Sequence, residues 1–519
     1  MRVDDDRTQV VASALSIDLA LHIAIAAVAL LVRLFALGVA PLNSFEARQA
    51  IGAYNFSQGA EITFAGSPLL FLVNTLFFSL FTASDFTARL APALAGTGLV
   101  LLPLLFRRDV GRTGAIVASA LLAFSPSLLF FSRTLDSAIP AVAAILAGVA
   151  YGSRYFDSRR RRDLFGTIFF AALVMLSLPD LSAGGSLLDV LRLLVVYDPI
   201  ITLFGIAAIG GAVLFERRVN RRLMFAFAIW SAVAFVLIAP SAQASSVVFV
   251  VVPLAMLAGA SIGVWLERMV EQVRELGVHE LFWHEAPILG VSVGLIAFLS
   301  IVTAELAQRG NIVTADAIGR ILGSSQDNPA LGNSIVVLLF LFAFVAAAVL
   351  ALTTLGTARA RNLGLFFALA LLSAWTFRQA MMLNFTDDGA YNPQEWIVTR
   401  AASPNVRDLV RDLESQSRWR ANDTHAIAVQ VDSSLGPMVQ WNLREFRAAQ
   451  FAARTTLVPG TQAIVSVVGA PTPPGAWIAQ RYRLEMTRGV DAGGRLRALI
   501  YRDVGLLEST DAILWVPRP

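Results

Sequence analysis

Asp157-Ser-Arg-Arg-Arg-Arg-Asp163 lies between two long apolar blocks, residues 139–156 and 164–178, and its four consecutive arginines fix one side of a membrane. Arg154 belongs to the same cluster, and similar clusters follow other apolar blocks: Arg107, Arg108 and Arg112; Arg217, Arg218, Arg221 and Arg222; Arg268 and Arg274; Arg359 and Arg361. They fall on alternate connections. Arginine-rich connections stay cytoplasmic, because carrying their charge across a bilayer during insertion is costly. The pattern therefore predicts a polytopic α-helical membrane protein with defined sides.

Composition agrees. Hydrophobic residues make up 56% of the 519-residue chain and charged residues only 15%, with a mean hydropathy of +0.66. A pI near 9.8 suits anionic lipid headgroups better than nucleic acid, since the arginines flank apolar blocks. All 41 Lys+Arg residues are Arg, which excludes a Walker A loop and a Schiff-base lysine. The absence of cysteine excludes disulfides, thiolate nucleophiles and Cys-ligated metals. The first apolar block runs a full span after an acidic start, unlike a cleavable signal peptide.

A spanning helix needs about 20 apolar residues. The candidates are 15–38, 90–106, 113–131, 139–156, 164–178, 199–215, 223–239, 247–266, 287–306, 334–356 and 363–385, eleven in all. The block 68–81 is the exception: only if it stays on the outer surface do all arginine clusters share the inner side with the amino terminus. It is expected as a juxtamembrane or re-entrant helix within an outer loop, 39–89, and 187–196 as a second surface helix. Residues 1–385 then form the membrane domain, and 386–519 an extracytoplasmic α/β domain. Within the tail, 426–431, 463–468, 482–487 and 496–502 read as strands, and 405–417 and 437–446 as helices. No internal repeat is visible, which argues against an inverted-repeat transporter.

Ser67-Pro-Leu-Leu-Phe71, Ser84-Asp-Phe-Thr-Ala-Arg-Leu90, Gly111-Arg-Thr-Gly-Ala115 and Ser125-Pro-Ser-Leu-Leu-Phe-Phe-Ser-Arg133 follow an acidic residue in the first outer loop. In this order they resemble the GT-C membrane glycosyltransferases, the superfamily of protein O-mannosyltransferases and aminoarabinose transferases. The nearest likeness is to its bacterial and archaeal flippase-activity-associated, mannosyltransferase-type branch. Tyr197-Asp-Pro-Ile200, Val252-Pro-Leu254 and Trp441-Asn-Leu-Arg-Glu-Phe446 extend the likeness. The resemblance implies a sugar transferred on the outer face from a polyprenyl-phosphate donor. A carboxylate would deprotonate the acceptor, and cations or dipoles would hold the leaving phosphate.

The sequence departs from that pattern at several ionisable positions. Phe45 stands where the family carries Asp, leaving Glu46; Ala138 stands at the Asp of Ser-Arg-x-x-x-x-Asp, with Asp136 two residues earlier. The expected Lys-Glu after the fifth span reads Pro179-Asp180, and the polar run before the eighth reads Gln243-Ala-Ser-Ser246. Each candidate has two readings. Glu46 is the general base or the N3 member of a capping box with Asn43. Asp136 orients substrate or caps the next span. Arg89 and Arg133 bind a lipid phosphate or snorkel at the interface. His22, His279, His284 and His425 are too dispersed for one metal site. Metal use varies within the superfamily, so a divalent ion between Glu46 and Asp136 stays an alternative and no cofactor is expected. The expected partners are a polyprenyl-phosphate-linked sugar, membrane lipids and an envelope-assembly protein. The alternatives to transfer are a catalytically inactive relative that binds lipid-linked glycan or scaffolds envelope assembly, and a lipid-linked sugar flippase.

Overall fold

The computed structural model describes residues 3–60, 66–178, 186–212, 219–238, 243–276, 353, 361–362, 364–385, 395–453, 460–488 and 507–518. They fall into two units, residues 1–263 with 376–519, and residues 264–375. Of the second unit only 264–276, 353, 361, 362 and 364–375 are described.

The helices of the membrane part are α1 (Val3–Leu34), α2 (Ser44–Ser57), α3 (Pro68–Leu80), α4 (Asp85–Leu101), α5 (Arg112–Phe124) and α6 (Pro126–Ser132). They continue as α7 (Ala138–Ser158), α8 (Arg161–Ser177), α9 (Leu187–Tyr197), α10 (Pro199–Ala207), α11 (Arg221–Val233) and α12 (Val248–Leu276). The last is α13 (Gly364–Phe385). Among the described residues six helices are long and apolar enough to cross a membrane, or eight if each of two bent pairs is one span. The expected spans 287–306 and 334–356 lie outside the described residues. At 13 residues, α3 is about 20 Å long, short of the roughly 30 Å hydrocarbon core. Helix α9 meets α10 at a 107° bend, placed by Pro199, whose ring cannot continue the preceding turn.

The block expected as one span, 113–131, is broken by 58° between α5 and α6. Pro126 has no N–H to return to Leu122. The freed carbonyls of Leu122 and Ala123 accept instead from Arg33 Nη2 at 3.2 Å and Nη1 at 3.5 Å. Opposite, the Ser125 and Ser127 hydroxyls donate to the two oxygens of buried Asp198. Arg33 thus serves the backbone that the proline leaves bare, and the bend aims α6 toward the loop 133–137. Close approach of α5 and α12 depends on small residues. A Cβ on Gly259 would sit 2.6 Å from the Ala118 Cβ, and one on Gly263 2.4 Å from the Gly114 nitrogen.

The tail adds β1 (Arg400–Ala402), α14 (Asn405–Ala421), β2 (Val429–Asp432), α15 (Pro437–Asn442), β3 (Ala449–Ala452), β4 (Ala463–Val467), β5 (Trp477–Arg488) and β6 (Leu507–Pro517). These strands form one sheet in the order β1-β5-β6-β4-β2-β3. Strand β2 runs parallel to β3 and β4, and the other pairings are antiparallel. Helix α14 buries Val406, Leu409 and Leu413 and stops at Asn422, whose φ of 51° is left-handed, a conformation Asn tolerates. Strands β1, β3 and β6 were not expected from the sequence, and the expected strand 496–502 lies outside the described residues.

The tail does not keep its core to itself. Leu42, Ala47, Ala50, Leu70 and Phe78 of the first loop region belong to the same buried cluster as Val429, Val465 and Trp441. Trp441 is wholly buried, its ring 5.6 Å from Phe78 and 6.2 Å from Tyr54. Its indole N–H donates to Asp85 at 2.8 Å. Arg407 reaches Asp85 at 2.8 Å and the Gly38 carbonyl at 2.6 Å, and Glu485 accepts from both the N–H and the hydroxyl of Ser44. Helix α4 therefore begins under the tail and runs away from it toward the arginine-rich loop 107–112.

Candidate functional site

Helix α2 is started by the capping box that Asn43 and Glu46 predict. The Asn43 side chain accepts from the N–H groups of Phe45 and Glu46, each at 3.0 Å, and Glu46 Oε2 accepts from the Asn43 N–H at 3.1 Å. Glu46 is 2% exposed and meets further donors. Arg89 clasps it through two parallel bonds, Nε to Oε1 at 2.8 Å and Nη2 to Oε2 at 2.7 Å, and the Leu135 N–H donates to Oε1 at 2.8 Å. The rest of the Arg89 guanidinium donates to the carbonyls of Leu37, Ala40 and Pro41. This pair knots the exit of α1 to the starts of α2 and α4.

Arg133 is committed in a similar way. Its Nη1 donates to the carbonyls of Val32, Arg33 and Phe35 at 2.7–3.1 Å, and its guanidinium lies 4.7 Å from the Phe385 ring centroid. A cation at these carbonyls complements the negative end of α1. Arg89, Arg133 and Glu46 still border a small cavity of about 120 Å³ between the α1 exit and the tail.

Asp136 is placed differently. One carboxylate oxygen accepts the Ala138 N–H at 2.7 Å, just before α7. Burial pushes its carboxyl well above the usual range; the Ala138 N–H and the Ser245 hydroxyl act the other way, and the charge of Glu46 adds to the rise. A carboxylate so raised accepts a proton more readily than an ordinary one. Asp136 lines a cavity of about 540 Å³ with Phe45, Thr134, Gln243 and Ser245. Three arginines share that cavity: Arg48 on α2, Arg400 on β1 and Arg488 at the end of β5. Arg488 donates to the Trp396 carbonyl. Arg48 and Arg400 are exposed and have no ion-pair or hydrogen-bond partner for their side chains among the described residues.

Residues 65–181 match the family model described as Dolichyl-phosphate-mannose-protein mannosyltransferase. The match contains Asp136 and the stretch Ser67 to Arg133 that carries the GT-C resemblance, and it supports that resemblance. Comparison with curated proteins finds no match. Among solved structures, ArnT from Cupriavidus metallidurans bound to undecaprenyl phosphate is 15% identical, with a TM-score of 0.43 over 86% of this chain and 92% of that one. Its apo state gives 13% and 0.44 over the same shares. The Archaeoglobus fulgidus oligosaccharyltransferase in complex with Zn and sulfate gives 12% and 0.34, over 86% of this chain and 68% of that one.

The four residues singled out from the sequence thus lie near one another, in two settings. Glu46, Arg89 and Arg133 are tied to protein groups; Asp136 borders the larger cavity, which Glu46 also lines. Asp180, His279 and His284 lie outside the described residues. His22 bonds the Asp18 carbonyl within α1, and His425 lies beside Glu414 and Glu445 in the tail. Among the described residues no three His, Asp or Glu side chains are grouped to hold a metal ion. Sequence reasoning did not find Arg48, Arg400 or Arg488. Arg48 lies two residues from Glu46 and was within reach; the other two are brought in only by the pairing of β1 with β5.

Proposed function

We propose that this membrane protein transfers a sugar from a polyprenyl-phosphate donor, with Asp136 as general base and Arg48 and Arg400 as ligands of the donor phosphate. The observation that carries the reading is the larger cavity. It sets a buried carboxylate with raised proton affinity on the same wall system as two guanidinium groups that no described side chain neutralises. General-base catalysis needs the first, and a departing phosphate needs the second. The donor class is supported by the GT-C resemblance and by the family model's description.

Sidedness follows from the charges. Helices α4 and α7 begin near the tail and end at the arginine-rich loops 107–112 and 154–162, which the positive-inside tendency assigns to the cytoplasm. The tail, residues 386–519, and the cavity then face the extracytoplasmic side of the cell membrane, where a polyprenyl chain holds its phosphate at the interface. In this reading Glu46 and Arg89 position the loop that carries Asp136, through the Leu135 N–H.

A second reading, a non-catalytic binder of lipid-linked glycan, is favoured by one feature: Glu46, at the acidic position of the first loop, is enclosed by donors from Arg89, Leu135 and Asn43. The two separate in one experiment. Purified protein in liposomes is given a polyprenyl-phosphate hexose together with a membrane extract that supplies hydroxyl acceptors. Release of the sugar from its lipid phosphate, to acceptor or to water, is followed for wild type and Asp136→Asn. Transfer predicts measurable release that falls about 10²–10⁴-fold in the variant while unfolding is unchanged. Binding without release by the wild type would support the second reading.

A further inference from the structure

At the end of the helices remote from the tail, three loops are fastened to one another. The Asn220 N–H donates to the Asp109 carbonyl at 2.8 Å, and its side-chain amide to the Asp109 carboxylate at 2.7 Å. Phe106, wholly buried, packs edge-on against Phe227 of α11 at 5.6 Å. Arg154, near the end of α7, donates to the Leu105 carbonyl at 3.0 Å. These contacts hold residues 105–110, the start of α11 and the end of α7 in one surface.

That surface carries more arginines than carboxylates, and three of its carboxylates are engaged, while Asp157 is exposed. Asp109 is taken by Asn220, Asp18 by Arg112, and Asp163 by the Ser158 hydroxyl. Arg107, Arg108, Arg160, Arg161 and Arg222 have no ion-pair partner among the described residues, and all but half-buried Arg107 are exposed. Arg159 spends its guanidinium over Tyr155 and Phe156, within 6 Å of both rings. Phe156 and Phe165 are exposed large apolar groups on the flanks of this patch, 70% and 69% accessible. Cations set just beyond an apolar belt match a lipid phosphate whose acyl chains lie along the helices. An acidic protein partner would need the charge but not the apolar flank.

We propose that the clasped loops around Arg107, Arg108 and Arg222 bind the phosphate of an anionic phospholipid of the surrounding leaflet. The lipid reaches this patch without entering the cavity near Asp136.

The test is native mass spectrometry of the full chain released from micelles doped with phosphatidylglycerol or phosphatidylcholine. Wild type is expected to retain phosphatidylglycerol selectively. The triple variant Arg107→Gln, Arg108→Gln, Arg222→Gln should lose affinity by about five-fold per arginine removed, while the matching Arg→Lys triple keeps most of it and shows that the fold survives. Equal retention of both lipids, or unchanged retention by the Gln triple, would overturn the proposal. So would displacement of phosphatidylglycerol by millimolar inorganic phosphate alone, which would point to a free anion. Preferential capture of a poly-glutamate peptide at the same arginines would overturn it in favour of a protein partner.

Discussion

Glu46 and Asp136 are buried carboxylates at neighbouring ends of the same helix cluster, and their surroundings differ. Glu46 meets a bidentate arginine and two backbone N–H groups, so its charge is fully answered by the protein. Asp136 has one backbone donor at 2.7 Å and the Ser245 hydroxyl, and it borders a cavity, also lined by Glu46, with unanswered guanidinium groups. A buried charge with a full set of partners is a structural fastening. A buried carboxyl that is short of partners is poised to exchange a proton. Burial alone does not mark a catalytic acid or base; the difference lies in what remains for a substrate to satisfy.

The comparison breaks most easily at its closed side. Removing one member of a buried ion pair leaves the other charge stranded, at a cost of about 3–5 kcal/mol. Glu46→Gln and Arg89→Met should each lose that much in unfolding experiments in detergent, and the double variant should lose less than their sum. Glu46→Gln with wild-type stability and no turnover would instead return the catalytic role to Glu46.

The helix break sharpens the same contrast at smaller magnitude. Arg33→Met removes the donors that serve the Leu122 and Ala123 carbonyls, at about 1–3 kcal/mol for each group left unsatisfied. Stability should fall by that order, and turnover should fall with it, because α6 leads directly into Asp136. A stable variant with full activity would show that the bend does not aim the loop.

The smallest effect is on pH. The carboxyl of Asp136 is raised by burial, so the folded state holds its proton more tightly than the unfolded chain. Its contribution to stability is therefore full below the ordinary carboxylate range and is lost as pH rises through the raised value. If Asp136 is the base proposed above, turnover runs the opposite way, since a base must be unprotonated, and should climb through that same value. Asp136→Asn should abolish both dependences. An acid limb of the rate profile that survives in this variant would belong to another group.

Much of the architecture was legible in the chain because hydrophobic blocks, prolines and capping residues act locally. The short helix at 68–81 appears as α3, and the Asn43–Glu46 capping box is formed. Trp441 is wholly buried in the core that the tail shares with the first loop region. The bend at Pro126 was not read, although a proline inside an apolar run is its signal. Strand β1 is only three residues long and begins with an arginine, and β3 is half exposed, so neither carries an alternating pattern. The larger cavity was illegible for a different reason. It joins Arg48 to Arg400 through a tail that shares its core with the first loop region, and no local periodicity encodes that meeting.

The most direct test is equilibrium binding of undecaprenyl phosphate to the full chain in micelles. If the open cavity holds the phosphate, Arg48→Gln and Arg400→Gln each remove a charge-assisted hydrogen bond, worth about 1.5–3 kcal/mol. Each should therefore weaken binding by at least about ten-fold. Arg411→Gln, which removes an exposed tail arginine paired with Asp408, should leave it unchanged. Equal affinities for all three variants and the wild type would contradict the assignment of this cavity as the donor site.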